Sequence, residues 1–143
     1  MANKKVKELM EAELELISPD ATLEEAARKM KECGCGFLPV GSEDSPEGII
    51  TDRDIVIRAV AEGKDTSEIT VRECMTQDVC ACREDDTLED AARMMGENNV
   101  SRLVVKSDGE SLCGVLTFGR MIRSNGNADE TRKVVEKATG KVS

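Results

Sequence analysis

Gly48–Asp54 has the sequence Gly-Ile-Ile-Thr-Asp-Arg-Asp, a short β-branched run that leads into a hydroxyl and two carboxylates. This pattern predicts a strand that passes directly into the N-terminus of a helix. The first N–H groups of a helix lack partners within it, so the turn suits a phosphate, and a nearby carboxylate can accept from sugar hydroxyls. Helix capping alone uses the same residue types, so the turn by itself leaves both roles open.

The chain contains this pattern twice. Asp85–Met95 matches Asp20–Met30 at an offset of 65, with 8 of 11 residues identical, and Gly114–Arg120 corresponds to Gly48–Asp54 at an offset of 66. A register that slips by only one residue indicates an internal duplication of a strand–helix–strand–strand–helix unit. One such unit is too small to bury its own core. We therefore predict an α/β (α+β) fold in which two β-α-β-β-α repeats pack about a pseudo-twofold axis.

The repeat also predicts where the chain divides. We expect the first repeat in residues 1–66, the second in 67–124 and a polar tail in 125–143, with a helical piece near 129–138. The first strand of repeat 1 is predicted at Glu13–Ser18. The helix that starts at Asp52 is predicted to bury four side chains on one face, which are Ile55, Val56, Ala59 and Val60.

Capping signals define the other helix of repeat 1. Thr22-Leu23-Glu24-Glu25 has the form of a capping box, with threonine at the N-cap and glutamate three residues later. The apolar face that follows ends at Cys33-Gly34-Cys35-Gly36, where a glycine suits the C-cap. We therefore expect a helix between these two signals.

Composition and charge exclude several classes of partner. The formal net charge is −9, which argues against nucleic acid and anionic membranes as partners. No stretch has the length and apolarity of a transmembrane helix or of a signal peptide, so we expect a cytoplasmic protein. The six cysteines are then expected to be reduced thiols, mostly acting as small apolar residues.

Together these motifs resemble a tandem pair of cystathionine-β-synthase-type (CBS) domains, the CBS pair or Bateman module. The resemblance is carried by Asp20–Ala27 and its second copy, by Gly36–Val40, and by the Gly-hydrophobic-hydrophobic-Thr-x-x-Asp element at Gly48–Asp54. It implies a regulatory, non-enzymatic module with two clefts between the repeats. Such clefts take AMP, ADP, ATP or S-adenosylmethionine as regulatory ligands, and the modules pair into homodimeric four-repeat discs.

The resemblance also implies which residues bind. In the first cleft, Thr51 would contact phosphate or ribose and Asp54 the ribose diol. The resemblance assigns supporting roles to further residues, with the base flanked by Val100 and Ser101, positive charge supplied by Arg102 and Arg53, and the loop at Asp86 nearby. In the second cleft, Thr117 would face Ala21, Cys35 and Gly36, but Arg120 replaces the aspartate. Because arginine has no acceptor for ribose hydroxyls, we expect unequal clefts.

Two other functions stay open. One is a structural dimerisation module with non-functional clefts. The other is a cysteine-based zinc or redox sensor that uses the pairs Cys33/Cys35 and Cys80/Cys82, although the Cys-x-x-Cys spacing of common zinc sites is absent. Catalysis is disfavoured because the chain has no histidine and the motifs provide no nucleophile–base pair. If the chain is instead the ligand-binding regulatory module that the resemblance implies, a partner protein that it regulates is also expected.

Overall fold

The computed structural model describes residues 4–77, 79–123, 132 and 135–138. The chain divides into two compact units, one formed by Leu14–Val79 and one that combines residues up to Glu13 with residues from Cys80 onward. Helices and small sheets occur in both units, which confirms the predicted α+β class. The boundaries predicted from the sequence repeat stay a prediction. In the described part of the chain, no helix has the length and apolarity needed to cross a membrane.

The unit Leu14–Val79 contains repeat 1. Its strands β1 (Phe37–Gly41) and β2 (Pro46–Thr51) pair antiparallel, with Phe37 opposite Thr51. Its helical segments are α1 (Leu23–Cys33), α2 (Asp52–Ile55), a π-helical turn (Val56–Val60) and α3 (Val71–Cys74).

The prediction of a strand over Glu13–Ser18 is wrong. Of these residues only Ile17 pairs, in an isolated parallel bridge with Val40. The Glu13 N–H donates to the side chain of Glu11, which bends the chain before a strand can start. Pro19 then stops the chain from extending further as a strand.

The second unit contains repeat 2. Its strands β3 (Ala81–Arg83), β4 (Arg102–Lys106) and β5 (Leu112–Thr117) form one sheet in that order, with β3 parallel and β5 antiparallel to β4. Its helical segments are a 3₁₀ turn (Val6–Glu8), α4 (Leu88–Asn98) and α5 (Phe118–Arg123). Of the predicted helix near 129–138, the described residues 132 and 135–138 are helical, and the rest lies outside the described residues.

The predicted caps of α1 are confirmed. The Thr22 hydroxyl accepts from the Glu25 N–H at 3.1 Å, and the Glu25 carboxylate accepts from the Thr22 N–H at 3.0 Å. Gly34 ends the helix with φ +67°, a conformation that glycine adopts without steric cost. In repeat 2, Asn99 ends α4 in the same left-handed conformation with φ 54°.

Each unit has its own aliphatic core, but one predicted stripe is partly wrong. Ile55 and Ala59 are buried as predicted, whereas Val56 and Val60 are 53% and 58% exposed. The buried stripe on this helix is therefore narrower than the four-residue face we predicted. The neighbouring Ile57 is 49% exposed, so three aliphatic side chains on this stretch face outward.

Each repeat is completed by the segment that precedes the other repeat in sequence. We call residues 4–12 arm 1 and residues 69–77 arm 2. Arm 1 packs on repeat 2, where the N–H of Val6 donates to the Asp86 carbonyl at 2.8 Å. Arm 2 packs on repeat 1 through the equivalent bond, from the N–H of Val71 to the Ala21 carbonyl at 2.8 Å.

A glycine allows each arm to approach its sheet. A Cβ on Gly48 would come within 2.5 Å of the Thr76 carbonyl oxygen, and a Cβ on Gly114 within 2.6 Å of the Met10 Sδ. The two arms therefore dock in equivalent ways, arm 2 at β2 and arm 1 at β5.

Candidate functional site

The turn between β2 and α2 forms the centre of the candidate site. The Thr51 hydroxyl accepts from the Asp54 N–H at 3.0 Å, and the Asp54 Oδ2 accepts from the Thr51 N–H at 3.0 Å. This reciprocal capping box satisfies two backbone donors and fixes both side chains. The capping role left open by the sequence is thus present, and it orients the two groups predicted to contact a ligand.

The second carboxylate oxygen of Asp54, Oδ1, can still accept hydrogen bonds. Its side chain is 12% exposed, and the Oδ1 lies 3.8 Å from the Nε of Arg58. Within the described part of the chain, no N–H or O–H group donates a hydrogen bond to Oδ1. A carboxylate oxygen that keeps some exposure and lies next to a cation is an acceptor that hydroxyl groups can use.

Arg58 is a residue that the sequence analysis missed. Its guanidinium donates to the carbonyls of Cys74 and Met75 at 3.0 and 3.1 Å, and so fixes arm 2 beside the turn. The sequence could have predicted its pairing with Asp54, because the two residues are four apart and therefore lie on the same face of a helix. Arg53, predicted to supply charge, is exposed on the first turn of α2.

Gly36, the residue directly before β1, contacts the same turn across the β1–β2 pair. The Asp52 N–H donates to the Gly36 carbonyl at 2.8 Å. A Cβ on Gly36 would come within 2.9 Å of Asp52 Oδ2, so the carboxylate lies directly over the glycine. Cys35, which precedes it, is half-buried against the core of this unit. Asp52 is a second residue of the turn that we did not predict.

In the unit of repeat 2, Val100 and Ser101 lie between α4 and β4. Val100 is half-buried and donates its N–H to the Met95 carbonyl at 3.0 Å, and Ser101 is exposed. The Ser101 carbonyl accepts from Phe118 at 2.9 Å, and β4 starts at the half-buried Arg102. Their predicted contact with a ligand stays a prediction.

Two predicted loop residues take part in docking the arms. The carbonyls of Ala21 and Asp86 receive the equivalent N–H groups of Val71 and Val6. The Asp86 carboxylate also accepts from the Arg83 N–H at 2.9 Å. Both positions are half-buried, so their structural role is clear whether or not they also contact a ligand.

The turn of repeat 2 differs from that of repeat 1 in the contacts of the residue at its third helical position, Arg120. The Thr117 hydroxyl accepts from the Arg120 N–H at 3.2 Å, which preserves half of the capping box. The guanidinium of Arg120 donates to the Leu9 carbonyl and lies 3.3 Å from the Glu11 carboxylate. Arg120 therefore fixes arm 1, the task that Arg58 performs for arm 2.

The expectation that the cysteines are reduced is wrong for one pair. Cys33 and Cys35 form a disulfide, because the left-handed Gly34 between them brings their Cα atoms to 5.4 Å. The free thiols are Cys74, Cys80, Cys82 and Cys113. Burial, followed by the nearby Asp86 charge, raises the pKa of Cys82 to about 12. Among the described residues, no three Cys, Asp or Glu side chains are grouped closely enough to hold a metal ion.

The sequence profile of the CBS domain matches this chain twice, at residues 6–60 and 71–125. The chain belongs to the CBS domain family. An uncharacterized protein of Methanopyrus kandleri is 38% identical over 102 residues, which are 71% of this chain and 52% of that relative. The chain thus spans about half the length of this relative.

Two solved structures are also similar to this chain. One is a CBS domain pair, of protein MJ0100, in complex with 5′-methylthioadenosine and S-adenosyl-L-methionine; it is 27% identical with a TM-score of 0.75, covering 84% of this chain and 94% of that one. The other is Hypoxic Response Protein I with two coordinated zinc ions, 29% identical with a TM-score of 0.76, covering 86% and 100%. CBS pairs are regulatory ligand-binding modules, and the predicted family is confirmed.

Proposed function

We propose that this CBS pair is a non-catalytic sensor of an adenine nucleotide or S-adenosylmethionine, with Thr51 and Asp54 as its principal ligand contacts. The observation that carries the proposal is the Asp54 carboxylate. One of its oxygens is used by the capping box, and the other accepts no hydrogen bond from the described residues. A ribose diol offers the two O–H donors that such an oxygen can accept.

Local charge makes the turn compatible with an anionic ligand despite the net charge of −9. Arg53 and Arg58 follow Thr51 on the helical segment, and both are exposed. The Thr51 hydroxyl still has its proton to donate, because in the capping box it acts as the acceptor. Phosphate next to Thr51 and ribose next to Asp54 would therefore each meet a group of matching polarity.

The regulatory mechanism we propose is a population shift. A ligand that binds one conformation of the pair more tightly increases the population of that conformation, and a partner protein responds to the change. The family resemblance predicts that Val100, Ser101 and Arg102 contribute to the same ligand as Thr51 and Asp54. In repeat 2, Arg120 already binds arm 1, which supports the expected weaker site at Thr117.

A homodimer is the assembly we propose. The outward-facing side chains of Val56, Ile57 and Val60 form an apolar patch on one helical stretch, and burying it would be favourable. Sedimentation of the wild type and of Ile57→Lys tests this, since a charge in the patch is expected to yield a monomer. A wild type that sediments as a monomer at high concentration would contradict the dimer.

A ligand panel tests the sensor proposal. Calorimetry with AMP, ADP, ATP, S-adenosylmethionine and 5′-methylthioadenosine, with GTP and NAD as comparison ligands, should give binding of at least one adenosine compound. Asp54→Asn keeps the size of the side chain but removes its charge, and should weaken that binding. If Asp54→Asn and Thr51→Val both bind every ligand as the wild type does, the proposed contacts are wrong.

A further inference from the structure

The Cys33–Cys35 disulfide closes a three-residue turn at the C-terminus of α1. Cys33 is exposed and Cys35 is half-buried, so a reductant can reach the bridge from solvent. Structural disulfides resist reduction, whereas exposed ones exchange readily and often have regulatory roles. Because it is accessible to solvent, the Cys33–Cys35 disulfide belongs with those that exchange readily.

Repeat 2 makes the same turn without a disulfide. In repeat 1 the N–H of Cys35 donates to the Met30 carbonyl at 3.1 Å, and in repeat 2 the N–H of Val100 donates to the Met95 carbonyl at 3.0 Å. Both turns contain a left-handed residue, and Asn98 stands where repeat 1 has Cys33. The fold therefore forms this turn without a covalent link, so the disulfide is not needed to make the turn.

The bridge is covalently next to the candidate site. Cys35 is followed by Gly36, whose carbonyl accepts from the Asp52 N–H at 2.8 Å. Phe37, the next residue, pairs with Thr51 in the β1–β2 register. The disulfide-bonded Cys35 thus directly precedes the residue whose carbonyl accepts the hydrogen bond from the first residue of α2.

We propose that Cys33–Cys35 is a thiol–disulfide exchange site whose redox state controls how firmly the Thr51–Asp54 turn is held. Its reactant is a dithiol reductant. One thiolate of the dithiol attacks Sγ of Cys33, the S–S bond breaks, and Cys35 leaves as a thiolate that takes up a proton. The second thiolate of the dithiol then displaces Cys33, which yields two protein thiols and the oxidised, disulfide form of the reductant.

Reduction changes the turn because of its composition. Without the bridge, the Gly34-Cys35-Gly36 segment has two residues of high backbone freedom, so the Asp52–Gly36 hydrogen bond opens more often. The turn that presents Thr51 and Asp54 is then less well ordered, and a ligand must supply the ordering. Weaker binding of an adenine nucleotide by the reduced protein follows, and this step rests on the proposed function.

The exchange reaction is tested by counting thiols. The full chain is equilibrated in buffers of reduced and oxidised dithiothreitol, quenched, denatured, alkylated and weighed by mass spectrometry. We expect a step from the four free thiols of the structure to all six cysteines. The step should be lost in Cys33→Ser/Cys35→Ser and kept in the matched control Cys80→Ser/Cys82→Ser. Six reactive thiols in every buffer, or a step that persists in the first variant, overturns the proposal.

The effect on the turn is tested by amide hydrogen exchange. Reduction should speed exchange at the Asp52 N–H on the order of fivefold, a modest coupling between two sites. The Phe118 N–H, which donates to the Ser101 carbonyl at the equivalent place in repeat 2, is the internal control and should not change. Equal exchange at Asp52 in the two redox states overturns the proposed control of the turn.

Nucleotide titrations separate this proposal from the proposed function. The affinity of the reduced protein for its adenosine ligand should fall on the order of fivefold, again a modest coupling. Equal affinity in the two states overturns the link to binding. If neither state binds any adenosine compound, the proposed function fails, while the thiol count and the Asp52 exchange rate still decide the redox switch.

Discussion

Thr51→Val removes both the helix cap and the proposed ligand contact, and the two losses can be measured separately as thermal stability and ligand affinity. Valine has nearly the same shape as threonine but cannot accept from the Asp54 N–H, so the cap at 3.0 Å is lost. Loss of a threonine cap costs about 1 kcal/mol of folding free energy. For a chain of this length that lowers the midpoint of thermal unfolding by about 4 °C.

The expected loss of binding is larger than the loss of stability. A hydrogen bond from the hydroxyl to a charged phosphate contributes about 1.5–3 kcal/mol. Its removal should weaken nucleotide binding by about 10- to 100-fold, since each 1.4 kcal/mol corresponds to a factor of about ten. Calorimetry measures the affinity and differential scanning calorimetry the midpoint.

Thr117→Val is the matched control. Thr117 accepts from the Arg120 N–H at 3.2 Å, so its replacement should lower the midpoint by a similar amount. It should leave the affinity of the principal ligand almost unchanged, because Asp54 has no counterpart in repeat 2. Equal losses of affinity in the two variants, or none in either, would refute the assignment of Thr51 as a ligand contact.

Three further predictions follow from other contacts. Arg120→Met removes the link to the Leu9 carbonyl and should destabilise the protein by about 1 kcal/mol in urea unfolding, as for a half-exposed charged donor. Hydrogen bonds from Thr70, the N-cap residue of α3, lower the pKa of Glu73 from 4.5. The stabilisation that these bonds provide is complete above pH 4.5 and is lost as the pH falls through the lowered pKa. Urea midpoints at about pH 7 and about pH 3 should therefore differ more for the wild type than for Glu73→Gln. Cys82, buried and with its pKa raised to about 12, should react with iodoacetamide far more slowly than the half-buried Cys80 in peptide-resolved alkylation of the native, oxidised protein.

Local signals in the sequence were enough to predict most of the secondary structure. The capping box at Thr22 and the glycine at position 34 each act within one helical turn, and both are confirmed. The duplication then predicts the second unit from the first. The family resemblance, which depends on these same motifs, is confirmed by two matches that together cover most of the chain.

What the sequence did not predict depends on conformations and contacts that a local residue pattern does not specify. The role of Arg58 requires arm 2, sixteen residues further along the chain, to lie beside it. The disulfide was not predicted because Gly34 was expected only as a helix C-cap, and a spacing of two residues does not reveal that this cap brings two cysteines together. Exposure of Val56 and Val60 depends on what surrounds the helix, which an apolar periodicity cannot specify. The sequence could not decide whether Thr51 and Asp54 cap the helix or bind a ligand, because both roles use the same side-chain oxygens.

The arms determine how this gene product can be divided. Val6 and Leu9 of arm 1 belong to the core of repeat 2, while Val71 and Cys74 of arm 2 belong to the core of repeat 1. A fragment cut between the two repeats therefore retains an arm that its own core does not use and lacks the one that it needs. We expect a complete core only when the fragments of repeat 1 and repeat 2 are co-expressed, so that each arm can pack on the other fragment. Neither fragment is then expected to fold by itself.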